Sequence, residues 1–139
     1  MPVILPVKGV SPTIPSDCFI APNATLVGDV VMGSECSVWF NAVVRGDVNS
    51  IRIGNKVNIQ DGACIHCTYE KTKTIIGNKV SINTIIAAGA VVLENTQCES
   101  GSIYAGVPAK KVKDISQELI HNEIDRIANN YIMYSTWFK

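Results

Sequence analysis

Five polar side chains that could take part in chemistry lie close together in a stretch of the chain that is otherwise rich in aliphatic residues. Imidazole and carboxylate groups bind divalent metal ions, and amides and carboxylates orient a metal-bound water. A metal site at a contact between subunits is therefore the first hypothesis for this stretch. The five residues are Arg45, Asp47, Gln60, Asp61 and His66.

Large aliphatic residues recur at every sixth position up to this cluster and, after one slip, again within it. A period of six matches neither a helix face nor simple strand alternation, and it is typical of a hexapeptide β-helix, in which short strands coil around a prism. Four positions after each large residue comes a smaller one, or an equal one in the case of Val48, because inward side chains must share a narrow interior. The large residues are Ile14, Ile20, Leu26, Met32, Val38 and Val44, and their small partners are Cys18, Ala24, Val30, Cys36, Ala42 and Val48.

The repeat is interrupted three times along the chain. It slips by three residues at 49–52, resumes at Ile53, and passes a polar loop at Tyr69–Thr74. Ile82 and Ile86 are then only four residues apart, which is too short for one face of the prism. We expect an all-β solenoid, a parallel β-helix of about four to six coils, over residues 1–112.

The pattern changes at the end of the chain, where apolar residues fall at steps of three or four. This spacing predicts one apolar face of a helix. We expect residues 113–139 to form a C-terminal helix that packs back on the β-helix. The apolar positions are Leu119, Ile120, Ile124, Ile127, Tyr131 and Tyr134.

Composition excludes several classes of partner. The 139 residues suffice for one domain, and 12 basic and 12 acidic residues balance to a formal charge of zero. Nothing therefore points to nucleic acid or an anionic membrane. No apolar run approaches the roughly 18–20 residues of a membrane span. Five cysteines, an odd number without framework spacing, favour a reducing cytoplasm.

Together the motifs resemble the gamma-class carbonic anhydrase family of hexapeptide-repeat, left-handed parallel β-helix proteins. The resemblance rests on Val44–Asp47, Asn58–Asp61, Ile65 with His66, and Gly101–Ala109, and it covers nearly the whole chain. It implies a homotrimer with zinc, or iron or cobalt, at the subunit interfaces. The metal is held by three histidines, two from one subunit and one from its neighbour. The implied activity is reversible hydration of carbon dioxide to bicarbonate by metal-bound hydroxide.

The resemblance also implies a role for each polar residue. His66 matches the first metal ligand, and Arg45 and Asp61 match the pair that bridges subunits. Asp47 sits beside that pair, and Gln60 matches the residue that holds the metal-bound water. This is consistent with catalytic zinc, which takes three protein ligands and keeps one position open for water.

The chain departs from the family pattern at the other two histidines. The family has them in a Gly-His-x5-His-like stretch just after the position of Val80–Ile82, where this chain runs directly towards Ile86. Roughly two coils are therefore missing relative to the family pattern. His121, the only other histidine, lies on the predicted helix, so the zinc ligand set is incomplete in this sequence.

Three functions stay open on these grounds. They are a metal-dependent carbonic anhydrase-like lyase, a coenzyme A-dependent acyltransferase of the hexapeptide-repeat class, and a non-catalytic trimeric scaffold. The acyltransferases usually carry a long protruding loop with a catalytic histidine, whereas Tyr69–Thr74 is short and lacks one. Cys64 or Cys67, which flank His66, could replace a missing ligand.

Overall fold

The computed structural model describes residues 1–77, 84–116, 118, 133 and 136–137. Within them lie thirteen strands, mostly short, as hexapeptide repeats predict. The strands are β1 (Val3–Leu5), β2 (Phe19–Ile20), β3 (Thr25–Met32), β4 (Ser37–Val38), β5 (Val43–Ile53), β6 (Val57–Ile59), β7 (Cys64–His66), β8 (Thr74–Ile76), β9 (Thr84–Ile86), β10 (Val91–Val92), β11 (Gln97–Cys98), β12 (Ser102–Ala105) and β13 (Lys110–Asp114).

The strands stack into a parallel β-helix with three faces. The first face has the order β1-β3-β5-β7-β10, so there are five coils, within the predicted range. β3 and β5 are long because they bend round a corner, and the second halves of both strands, with β8 and β11, make the second face. The third face stacks β2, β4, β6, β9 and β12, and β13 runs antiparallel along its edge.

The residues predicted to point inward fill the prism. Leu26, Val38, Ile59 and Val92 are fully buried, and Ile20 packs against this core from its edge. Burying one such aliphatic side chain contributes about 1.5–3 kcal/mol. The hexapeptide register is therefore confirmed, and it is the main source of stability in the coil stack.

The coils are in register on both sides of the segment in which the sequence places Ile82 and Ile86 only four residues apart. On the second face Ile76 lies beside Ile53, and on the third face Ile86 lies beside Ile59. Ile76 and Ile86 are thus neighbouring inward residues of one coil, and Ile82 falls outside the described residues. Thr84–Ile86 is a regular strand, so the third face is in register from Thr84 onward.

The described residues include only a small part of the predicted C-terminal helix. β13 continues to Asp114, past the expected domain boundary at 112/113. Glu118, Met133 and Thr136 are helical, but most of 113–139 lies outside the described residues, so the packed helix stays a prediction. No helical segment in the described part of the chain is long and apolar enough to cross a membrane.

Two glycines allow the coils to approach closely at the corner between the first and second faces. A Cβ on Gly28 would lie 2.3 Å from the carbonyl oxygen of Gly46 in the next coil. A Cβ on Gly46 would lie 2.7 Å from the carbonyl oxygen of Asp29. Because both contacts are with backbone, no side-chain movement relieves them. This corner also carries Asp47.

Gly28→Ala is expected to lower the free energy of unfolding by about 2–5 kcal/mol, since it adds this overlap to a left-handed backbone. Gly62→Ala is the matched control, because Gly62 has φ +68° against +75° for Gly28 but has nothing within 4 Å of the added Cβ. The control should lose only about 1–2 kcal/mol. Urea denaturation of both variants measures the difference, and equal losses would show that the close approach does not matter.

Candidate functional site at the corner of the prism

Three of the predicted site residues meet at one edge of the first face. Arg45 and His66 are direct partners in the parallel ladder between β5 and β7, so they project outward from consecutive coils about 4.8 Å apart. Asp47 follows two positions after Arg45, where β5 turns the corner. This part of the resemblance-based site is therefore assembled within a single chain. We call Arg45, Asp47 and His66 the corner cluster.

Asp47 lies between the two basic groups of the corner cluster. Its Oδ2 accepts a hydrogen bond from Arg45 Nη1 at 3.3 Å. Its Oδ1 lies 3.5 Å from His66 Nε2. Both Oδ1 and Nε2 are buried, and neither has a hydrogen-bond partner among the described residues. The arginine therefore fixes one carboxylate oxygen and leaves the other facing the imidazole.

The other two predicted residues lie at the opposite edge of the first face. Asp61 Oδ1 accepts a hydrogen bond from the Phe40 backbone N–H at 3.0 Å, and Gln60 Nε2 donates to Asn58 Oδ1. Five positions of chain separate Asp61 from His66, a span of at most about 16 Å. Within the described residues no salt bridge joins Arg45 to Asp61. One chain thus keeps the two halves of the predicted site apart.

The two cysteines beside His66 have different environments. Cys67 points into the prism, where its Sγ donates to the Asn49 carbonyl at 3.1 Å. Burial raises the pKa of the Cys67 thiol, which opposes the thiolate form that metal binding requires. Cys64 is half-buried and precedes His66 by two positions on the same outward side of β7. Of the two, only Cys64 shares the surface of the corner cluster.

The ligands at the corner cluster do not match the three-histidine set that the resemblance implies. The described residues contain no group of three or more His, Cys, Asp and Glu side chains arranged to hold a metal ion. His66 and Asp47 supply two donor atoms, whereas catalytic zinc takes three protein ligands. The residues present therefore do not fit the family's complete site.

One feature of the site was not predicted from the sequence, namely the approach of Asp47 to His66. The two residues are far apart in sequence, and the slip at 49–52 hides their relation. The signal was nevertheless present, because Val44 and Ile65 are both inward positions. Pairing them places Arg45 beside His66 and brings Asp47 to the same corner.

Comparison with known proteins agrees with this fold. A family model described as bacterial transferase hexapeptide (six repeats) matches residues 11–46. A solved structure of a hexapeptide transferase family protein from Anaplasma phagocytophilum is 30% identical, with a TM-score of 0.64 over 99% of this chain and 98% of that chain. The fold and the repeat place the chain among the hexapeptide-repeat β-helix proteins.

Similar proteins of named activity show which family of hexapeptide-repeat proteins the chain resembles. A carbonic anhydrase of Geobacillus kaustophilus is 32% identical over 99% of this chain and 91% of the relative. A mitochondrial gamma carbonic anhydrase 2 of Arabidopsis thaliana is 31% identical over 88% of this chain and 56% of the relative. The chain belongs to the gamma-class carbonic anhydrase family of hexapeptide-repeat proteins. The Geobacillus alignment extends over 167 residues although this chain has 139, so the relative has residues that this chain lacks.

Proposed function

We propose that this chain is a homotrimeric, carbonic anhydrase-like protein that binds zinc weakly and hydrates carbon dioxide slowly. The observation that carries this proposal is the ligand set of the corner cluster, which has one imidazole and one carboxylate. The sequence contains two histidines, and the second, His121, lies outside the described residues. Family membership supports carbon dioxide hydration as the type of reaction. The small number of metal-binding side chains supports weak zinc binding and slow hydration.

The position of the charged residues supports assembly as a closed ring. Arg45 and Asp61 lie on opposite edges of the same face, so each can meet the other only from a neighbouring copy. A contact between two different edges is heterologous and closes into a ring when the rotation between copies permits. The outward side of this face is largely apolar, with Val3, Leu5 and Leu93 all more than 40% exposed in the single chain. A neighbouring copy would cover this surface.

Zinc content and hydration rate on one sample test the proposal. After dialysis we expect well under one zinc per chain, and a hydration rate at least about a hundredfold below that of the Geobacillus carbonic anhydrase prepared alongside. His66→Gln should reduce the remaining zinc to the level of a protein-free blank. Near-stoichiometric zinc with brisk hydration would contradict the proposal, and so would zinc retention that His66→Gln leaves unchanged.

Coenzyme A-dependent acyl transfer is the second candidate, supported by the transferase family name of the Anaplasma structure. The connection between β7 and β8, residues 67–73, is short and contains no histidine. Titration with coenzyme A and acetyl-coenzyme A tests this candidate, and saturable binding would favour it over the lyase. If zinc binding and coenzyme A binding both fail while the trimer persists, the scaffold function is favoured.

The free thiols indicate the kind of cellular compartment in which the protein functions. All five cysteines are free, and three of them are buried in the prism. Burial raises the pKa of Cys98 to about 12, which keeps it a protonated core residue. Free thiols are typical of a reducing compartment, and we propose the cytoplasm.

A further inference from the structure

Two cysteines lie side by side in neighbouring coils, at the corner between the second and third faces. Phe19 pairs with Ser37 in the parallel ladder between β2 and β4, and the Phe19 N–H donates to the Cys36 carbonyl at 2.9 Å. Cys18 and Cys36, which directly precede these partners, therefore occupy the same position of consecutive coils, about 4.8 Å apart along the stack. This spacing lies within the Cα···Cα range of about 4.4–6.8 Å that disulfides require.

The two thiols differ in exposure and in acidity. Cys18 is half-buried, whereas Cys36 is buried. A hydrogen bond between the two thiols lowers the pKa of Cys18, although burial and the carboxylate of Asp17 oppose this shift. The same hydrogen bond, together with burial, raises the pKa of Cys36. Because the thiolate is the reactive form of cysteine, Cys18 is the more nucleophilic sulfur, and Cys36 is the neighbouring thiol that can react with it afterwards.

The position of the pair in the fold allows the small movement that a bond between the sulfurs needs. β2 ends the third sheet, and β4 is its neighbour there. Side chains in register on adjacent strands stand about 4.8 Å apart, whereas the Cβ atoms of a disulfide are about 3.5–4.5 Å apart, so the chain at Cys18 must shift by less than about 1 Å. Residual strain makes a disulfide easier to reduce, which favours a reversible bond.

The pair would remain accessible in the proposed trimer. The corner between the second and third faces is the vertex of the prism opposite the first face, where the contact of Arg45 with Asp61 is proposed. A small oxidant could therefore reach Cys18 in the assembled protein. The corner cluster belongs to the first face, so the two cysteines are separate from the proposed metal chemistry.

We propose that Cys18 and Cys36 are a peroxide-responsive pair that forms a reversible disulfide between the first two coils of the β-helix. The Cys18 thiolate attacks hydrogen peroxide, and a sulfur–oxygen bond forms as the oxygen–oxygen bond breaks and hydroxide leaves. The Cys36 sulfur then attacks the Cys18 sulfur, and the sulfur–sulfur bond replaces the sulfur–oxygen bond. The two thiol protons leave with the two oxygens as two molecules of water. Two sulfurs are oxidised, one peroxide is reduced, and a dithiol reductant reverses the change.

Peptide mapping of the peroxide-treated full-length protein tests this proposal. Free thiols are alkylated before unfolding, and cleavage before aspartate then separates the pair, because residues 17–28 carry Cys18 alone and residues 29–46 carry Cys36 alone. Without reduction we expect these two peptides to be joined, and the number of free thiols to fall from the initial five to three. Dithiothreitol should restore all five.

Two variants separate the roles of the sulfurs. Cys36→Ser removes the second thiol, so oxidation should stop at the sulfenic acid of Cys18, which dimedone captures on the peptide 17–28. Cys98→Ser is the matched control, because Cys98 is a buried thiol that lies beside Ile76 rather than beside a second sulfur. This control should form the disulfide as the native chain does. Circular dichroism of each variant confirms that the β-helix is retained.

Several results would overturn the proposal. They are native protein that keeps all five thiols in peroxide, a disulfide that joins other cysteines instead, and a folded Cys36→Ser variant that gives no dimedone adduct on Cys18. A disulfide between two copies, seen as a dimer in a non-reducing gel, would also contradict it. None of these measurements depends on zinc content or hydration rate, so this inference and the proposed function stand or fail separately.

Discussion

Arg45→Ala is expected to convert the trimer into monomers at micromolar concentration. In the proposed ring, Arg45 of one copy meets Asp61 of the next, and the face between them loses its water on assembly. Removing one partner of a desolvated ion pair leaves the other charge buried and unpaired, which costs about 3–5 kcal/mol. Because about 1.4 kcal/mol corresponds to a tenfold change in a dissociation constant, the dissociation constant of each contact should rise more than a hundredfold. Sedimentation velocity over a range of concentrations measures the shift.

Arg52→Ala is the matched control for this prediction. The side chain of Arg52 is 44% exposed and that of Arg45 49% exposed, so the two arginines are equally accessible in the single chain. Arg52 binds Asp29 within its own chain, and its loss should leave the trimer intact. The double charge swap of Arg45→Asp with Asp61→Arg should restore assembly. A trimer that survives Arg45→Ala, or a swap that fails to rescue it, would show that these residues do not pair.

The sequence predicts the coil stack well because the physical constraint is local and repeated. Each inward residue, such as Leu26 or Val44, must fit beside the same position of the next coil, so a single register error would expose a large aliphatic side chain. The corner glycines do not alter this pattern. The fold class, a range of about four to six coils and the inward positions could therefore be derived from periodicity alone.

The site could be predicted only in part, because it depends on contacts between coils. The resemblance selects Arg45, Asp47 and His66, but their mutual contact depends on where β5 turns the corner. The three-residue slip at 49–52 extends β5 through that corner to Ile53, and periodicity does not show which way Asp47 then points. Gln60 and Asp61 lie at the other edge of the face. A single sequence does not show whether they complete the site of their own copy or that of a neighbouring copy.

Inserting two coils that carry two histidines at the spacing implied by the family resemblance is expected to raise zinc affinity at least about a hundredfold, because the added imidazoles would join His66 in a three-ligand site. The inserted segment replaces residues 78–83 and follows the Gly-His-x5-His-like pattern that the family resemblance implies. The structure tolerates such an insertion in principle, since Ile53 with Ile76 and Ile59 with Ile86 are columns on two separate faces. Whole added coils extend each column by one strand per coil, and each coil contacts only its neighbours.

The length of the graft matters as much as its residues. An insertion that is not a whole number of hexapeptides would turn Ile86 away from the core, and the protein should then lose its cooperative unfolding transition. The same graft with both of its histidines changed to asparagine has the same length and is the control for the ligands. Zinc per chain after dialysis should rise in the histidine graft alone. If both grafts fold as trimers and retain zinc equally poorly, the missing histidines are not what limits metal binding in this chain.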